Sequence, residues 1–155
     1  TIIGAGGAAR AVMYYLIDAE INEVNIINRT LRRANSVKDA FKKDIDSINI
    51  LELNSENANE KIENSDIIIN ATPLGKANKF EEISPVPKEL IKANHTLIDL
   101  VYKPRITKFL QYGKEQNAFI ISGIEMLIYQ AVKSFEIWTN SMVEYHVVNE
   151  LINNL

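Results

Sequence analysis

Short apolar runs alternate with amphipathic stretches along the whole chain. Thr1-Ile2-Ile3, Val24 to Ile27, Ile48 to Leu51, Asp66 to Asn70, Leu97 to Val101 and Ala118 to Ile121 read as strands. Asp66-Ile67-Ile68-Ile69-Asn70 is apolar throughout between polar ends, the pattern of a strand covered on both faces of a parallel sheet. Between the runs, apolar positions recur at helical spacing. Gly7 to Ala19 presents Val12, Tyr15, Leu16 and Ala19 on one face. Thr30 is placed as the N-cap of a helix reaching Phe41. A short helix is expected around Glu60, after the polar stretch Asn54 to Asn59. Thr107 to Gln116 is helical, Ile124 to Trp138 carries Leu127, Ile128, Ala131 and Phe135 at core spacing, and a last helix starts at Met142. Lys76 to Pro87 is the longest irregular segment. Strands alternating with helices imply right-handed crossovers and an α/β fold, a doubly wound parallel six-stranded sheet of order 3-2-1-4-5-6.

In such sheets ligands bind beyond the carboxyl ends of the strands, beside strand 1. Residues 4–9, 28–33, 70–75, 99–104 and 122–126 fall there. Gly4, Gly6 and Ala9 have the G-x-G-x-x-G/A spacing of a dinucleotide fingerprint. Gly4 suits a sharp turn, a side chain at Gly6 would hold a pyrophosphate off the main chain, and Ala9 lets the helix lie close on its strand. Free N–H groups and the helix dipole then face the phosphates. The alternative is a plain strand-to-helix turn. The end of strand 2 selects the cofactor. An NAD site wants a carboxylate there for the ribose 2′-OH, whereas this chain offers Asn28-Arg29-Thr30 with Arg32 and Arg33 just beyond. Guanidinium groups pair with a 2′-phosphate that a carboxylate would repel, so NADP is the expected cofactor. For Arg32 and Arg33 the competing reading is a solvated helix surface. Tyr102 lies just past strand 5, where its hydroxyl reaches the cleft or the ring packs half-buried. Gln130 interrupts an apolar helix and needs a partner, either a ligand or a core group.

With 155 residues, 46% hydrophobic and 24% charged, the chain suits one domain with a proper core. Its net charge of -3 argues against a general nucleic-acid or membrane surface. Absence of cysteine excludes a disulfide framework and thiolate metal sites. No signal peptide or bilayer-length apolar run is present, and a cytoplasmic location is expected. The chain starts inside strand 1 without a Met, as a piece of something longer would. His95, in a loop, and His146, in a helix, have no partners for a metal site. Trp138, Phe135 and the methionines read as packing groups.

Six motifs in order resemble shikimate dehydrogenase. They are Gly4-Ala5-Gly6-Gly7-Ala8-Ala9-Arg10-Ala11, Asn28-Arg29-Thr30-x-x-Arg33, Asn70-Ala71-Thr72-Pro73-Leu74-Gly75, Asp99-Leu100-Val101-Tyr102-x-Pro104-x-x-Thr107, Gly123-x-x-Met126-Leu127-x-x-Gln130-Ala131 and Phe135-Glu136-x-Trp138-Thr139. The resemblance is to the C-terminal, Rossmann-type NADP-binding domain of that family only, spanning 1–155. It implies a part of an enzyme that reduces 3-dehydroshikimate to shikimate with NADPH in aromatic amino acid biosynthesis. It implies further that Gly4, Ala5, Gly6, Gly7 and Ala8 hold the pyrophosphate, and that Asn28, Arg29, Thr30 and Arg33 hold the 2′-phosphate end. Asn70, Ala71 and Thr72 line the nicotinamide half. Leu100 and Gly123 touch the ring through carbonyls, and Met126 packs beside it. Tyr102 and Gln130 contact substrate.

The resemblance assigns proton handling to a Lys and an Asp of the family's N-terminal substrate domain, so no catalytic residue falls in this chain. The fragment alone is expected to be inactive. Asp99 reads as a strand-end structural carboxylate, and Lys76 and Lys103 as loop charges. Lys76 departs from the family's frequent Met, Glu125 from a small residue and Asn140 from Gly. The helix 142–155 is expected to lean toward the substrate domain, leaving Val143, Val147, Val148, Leu151 and Ile152 as an apolar stripe that drives self-association, a homodimer being one outcome. The rival readings are a stand-alone nucleotide-binding regulatory module and an NAD-using quinate/shikimate relative.

Overall fold

The computed structural model describes residues 1–21, 23–45 and 47–154. Its chain runs β1 (Ile2–Ile3), α1 (Gly7–Asp18), β2 (Glu23–Asn28), α2 (Leu31–Phe41), β3 (Ser47–Glu52), α3 (Glu56–Glu63), β4 (Ile67–Asn70), β5 (Thr96–Asp99), α4 (Lys108–Glu115), β6 (Phe119–Ile121), α5 (Gly123–Thr139) and α6 (Tyr145–Asn154), with a 3₁₀ turn at Lys88–Leu90. The six strands are parallel in the order β3-β2-β1-β4-β5-β6. This is the predicted doubly wound sheet.

Neighbouring side chains on a strand point to opposite faces, and that divides the core in two. Ile2 and Ile26 face α1 and α2, where Met13, Val37 and Phe41 meet them. Ile3 and Ile27 face α3 and α4, where Ile62, Phe109 and Leu110 meet them. The continuous apolar strands of the sequence are therefore two interleaved faces, each with its own cover.

Three expected helix faces are corrected. On α1 the buried residues are Ala9 and Met13, while Tyr15 and Ala19 are exposed. The close approach of Ala9 to the sheet sets the rotation of the helix, and Met13 follows one turn later. On α5, Ile124 and Ile128 are buried, but Leu127, Ala131 and Phe135 are exposed. The C-terminal stripe also divides: Val148 is buried against α5 with Val143 and Ile152 packed beside it, and only Val147 and Leu151 remain exposed. Nor do Phe135, Trp138, Met126 and Met142 pack inside the chain; Trp138 is 84% exposed, and Met13 alone of the methionines is buried. The last helix starts at Tyr145 rather than Met142. Asn140 adopts a left-handed φ of 52° and stops α5, and the Glu136 carboxylate accepts from the Val143 N–H at 3.1 Å across the turn. Asn tolerates that conformation better than most residues.

Among the described residues no helix is long and apolar enough to cross a membrane.

Candidate nucleotide site

Gly4 ends β1 with a φ of 110°. Its N–H donates to the Ile27 carbonyl at 2.8 Å, and a Cβ there would lie 2.9 Å from the Ala71 oxygen. The residue thus needs both glycine's conformation and its lack of a side chain. Gly6 and Gly7 are different: exposed, with open space where a Cβ would be. Gly6 is the N-cap of α1 and has no side chain to satisfy the first-turn N–H groups. The N-caps of α2 and α5, Thr30 and Ser122, likewise make no side-chain cap bond. Ser55 and Thr107, by contrast, cap α3 and α4. The helix opening beside the Gly loop therefore presents free donors and a positive dipole end.

Arg33 faces that opening. It lines one groove with Gly6, Gly7, Arg10, Arg32 and Ser36. Arg29 is exposed at the end of β2 and does not line this groove. Asn28 turns its amide back onto the Thr30 carbonyl at 2.8 Å, shaping the β2–α2 turn. Sequence reasoning missed Arg10 and Ser36. The available signal was the position of Arg10 one turn into the fingerprint helix, together with the i,i+4 spacing of Arg32 and Ser36. All ion pairs among the described residues use Lys or His as the cation, so none of the five arginines is neutralised by a carboxylate.

The other half of the site is a closed polar hub at the ends of β4 and β5. Asn70 is fully buried. Its amide donates to the Leu74 carbonyl at 3.0 Å and to Asp99 Oδ1 at 2.9 Å, and its Oδ1 accepts from the Thr72 N–H and hydroxyl. Asp99 Oδ1 also accepts from the Val101 N–H, and Oδ2 accepts from the Thr107 hydroxyl. Asp99 is thus the strand-end structural carboxylate anticipated. Burial raises its pKa to about 6, against the lowering effect of these three donors. The Asn70 side chain spends its hydrogen bonds on the 72–74 loop and on Asp99 of β5, so it shapes the cleft from behind. Ala71 and Thr72 are half-buried beside it.

Gly123 opens α5 against this hub. A Cβ there would lie 2.6 Å from the Val101 oxygen and 2.8 Å from the Asp99 oxygen, both backbone atoms. Leu100, Tyr102, Lys76 and Lys103 line a second groove with Pro73. Tyr102 is 47% exposed and Met126 is 40% exposed. Gln130 is exposed rather than set in a core, so water satisfies the amide that its apolar helix seemed to strand. Ala5, Gly7, Ala8, Thr30 and Leu100 keep positions at this carboxyl end, where the sheet order places them. His95 is buried, accepting from the Lys92 N–H and meeting the Glu63 carbonyl, and burial lowers its pKa. Among the described residues no three His, Cys, Asp or Glu gather as a metal site.

Sheet order, glycine turn and crossover helices define a Rossmann-type α/β domain. The chain belongs to the shikimate/quinate 5-dehydrogenase family, whose model matches residues 1–108, with the shikimate 5′-dehydrogenase C-terminal domain matching 123–152. It is 37% identical over 144 residues to shikimate dehydrogenase (NADP(+)) of Methanosphaera stadtmanae, covering 93% of this chain and 51% of that protein. Among solved structures, shikimate 5-dehydrogenase of Listeria monocytogenes with shikimate and NAD superposes with a TM-score of 0.87 at 28% identity, over 97% of this chain and 54% of that one. The Thermus thermophilus enzyme with NADP(H) and shikimate gives 0.81 at 30% identity, over 99% and 53%. The chain therefore spans about half the length of the relatives it matches.

Proposed function

We propose that this chain is the cofactor-binding part of an NADP-dependent shikimate dehydrogenase. One observation carries the choice of cofactor: the groove beside the glycine turn is faced by Arg10, Arg32 and Arg33 and holds no carboxylate. A carboxylate would reject a 2′-phosphate, while three guanidinium groups attract one. Gly4, Ala5, Gly6, Gly7 and Ala8 take the pyrophosphate on backbone N–H groups. Asn28, Arg29, Thr30 and Arg33 form the 2′-phosphate end. Ala71, Thr72, Leu100, Gly123 and Met126 take the nicotinamide side, with Asn70 as a positioning residue behind them. NADPH, when bound, supplies the hydride that reduces the ketone of 3-dehydroshikimate. Tyr102 and Gln130 orient the substrate from this side. The accompanying proton comes from a Lys and an Asp in the family's other half, so this chain alone binds nucleotide without turnover.

Phe135, Ile137, Trp138, Met142 and Tyr145 are exposed near the end of α5 and the start of α6. We assign this apolar region to contact with the remaining half of the parent protein. Patches of this kind mark interaction sites, and the isolated chain self-associates through it. A strict monomer in sedimentation at high concentration would count against self-association.

The deciding experiment is calorimetric titration of this chain with NADP and NAD side by side. NADP should bind more tightly; equal or reversed affinities would overturn the reading. Measurable dehydrogenase turnover by the purified chain would overturn the division of labour.

A further inference from the structure

The groove contains an arginine that lies outside the 2′-phosphate motif of β2 and α2. Arg10 projects from the first turn of α1, and its Nη2 donates to Ser36 Oγ on α2 at 2.9 Å. Ser36 lies one turn beyond Arg32 and Arg33, on the same face of that helix. The bond ties two helices that reach the site from different strands, and it leaves most of the guanidinium's five donors unused. Neither Arg10 nor its neighbours Arg32 and Arg33 forms an ion pair with any carboxylate among the described residues. Elsewhere the chain pairs its surface cations readily, as with Lys61–Glu23 at 2.6 Å and Lys88–Glu115 at 2.6 Å.

We infer that Arg10, held by Ser36, is a third arm of the 2′-phosphate site, and that Ser36 is its positioning residue. This rests on the reading of the groove as an NADP site. A long arginine side chain loses rotamer freedom when it binds, and a fixed hydrogen bond removes part of that loss beforehand. Serine is well matched to this role, because its hydroxyl accepts one N–H and its small size lets Arg10 cross from α1 to α2. Arg10 then approaches the phosphate from the α1 side while Arg33 approaches from α2, and their shared preference is for a dianion over a hydroxyl.

Calorimetry of NADP and NAD binding to the wild-type chain and to Arg10→Gln, Ser36→Ala, Ser36→Thr and Ser36→Asp tests this. Arg10→Gln should weaken NADP by about tenfold or more, as loss of a charge-assisted hydrogen bond implies, and NAD by less than about threefold. Ser36→Ala should weaken NADP by about threefold, with Ser36→Thr restoring it, because the bond lost is a modest neutral-acceptor one. Ser36→Asp leaves Arg10 in place but supplies a competing carboxylate, so it should weaken NADP as strongly as Arg10→Gln and gives an independent reading if Arg10→Gln folds poorly. Wild-type chain without an NADP preference would overturn the cofactor reading. A clear wild-type preference that survives Arg10→Gln, or equal loss of both nucleotides, would overturn this inference alone.

Discussion

The two halves of the site are built in opposite ways. On the proposed phosphate side, donors are left over: exposed Gly6 and Gly7, an uncapped α1, and arginines without carboxylate partners among the described residues. In the polar hub behind the proposed nicotinamide side they are used up, with Asn70, Thr72, Asp99 and Thr107 closed on one another and Gly4 and Gly123 wedged against backbone, while Ser122 at the start of α5 keeps a buried Oγ without a partner. A polyanion is recognised by charge, and groups that already had partners inside the protein would lose much of their attraction for it. A ring that must meet a substrate in one orientation needs walls that do not move, and internally satisfied polar networks give rigidity. The difference predicts that substitutions on the first side reduce affinity, and those on the second reduce stability.

The largest effect is expected at Gly4. Gly4→Ala imposes a Cβ 2.9 Å from the Ala71 oxygen at a φ of 110°. Strain and overpacking together should cost about 3 kcal/mol in urea denaturation. A loss below about 1 kcal/mol would show that the 70–75 loop yields, and would break the contrast.

Next comes Asp99. Its pKa is raised from 3.8 to about 6, chiefly by burial, so its ionisation opposes folding. The penalty is absent below the unfolded value, grows as pH rises between the two, and is constant above. Stability of Asp99→Asn relative to wild type should therefore increase across that window, by up to about 3 kcal/mol. A difference independent of pH would mean that the carboxyl is not buried as described.

On the phosphate side, Arg33→Gln should leave the denaturation midpoint nearly unchanged and weaken NADP by about ten- to a hundredfold. A stability loss comparable to that of Gly4→Ala would erase the distinction between the halves. The smallest stability effect belongs to Gly6→Ala. Nothing lies within 4 Å of the added Cβ, and the φ of -96° suits any residue. Folding stability should change by less than about 0.5 kcal/mol, while nucleotide affinity falls because the methyl occupies the phosphate's place.

Much of this was legible in the residues. Ile67-Ile68-Ile69 reads as a strand of a covered parallel sheet, with Ile68 and Ile69 buried and Ile67 exposed at its start, and the glycine spacing announces a turn made for close approach, because both are local consequences of side-chain size and polarity. Strand order follows from alternation and the hand of crossovers. The helix faces were less accessible. Tyr15 and Phe135 have core spacing, yet they are exposed, because rotation about a helix axis is set by the surface that covers it, the sheet for α1 and α6 for α5, rather than by periodicity. Gln130 likewise looked stranded only until α5 was seen to turn that face outward.

The composition and motif order of the chain already specified a parallel α/β domain, its glycine turn and a cationic end to the second strand, since each is written in contiguous residues. Which arginine reaches the groove was settled in three dimensions: Arg10 and Ser36 are 26 residues apart and meet only because α1 and α2 pack on the same face of the sheet. The Asn70–Asp99–Thr107 hub came from the same source, as strand pairing brings distant polar groups into a buried place where each must find a partner.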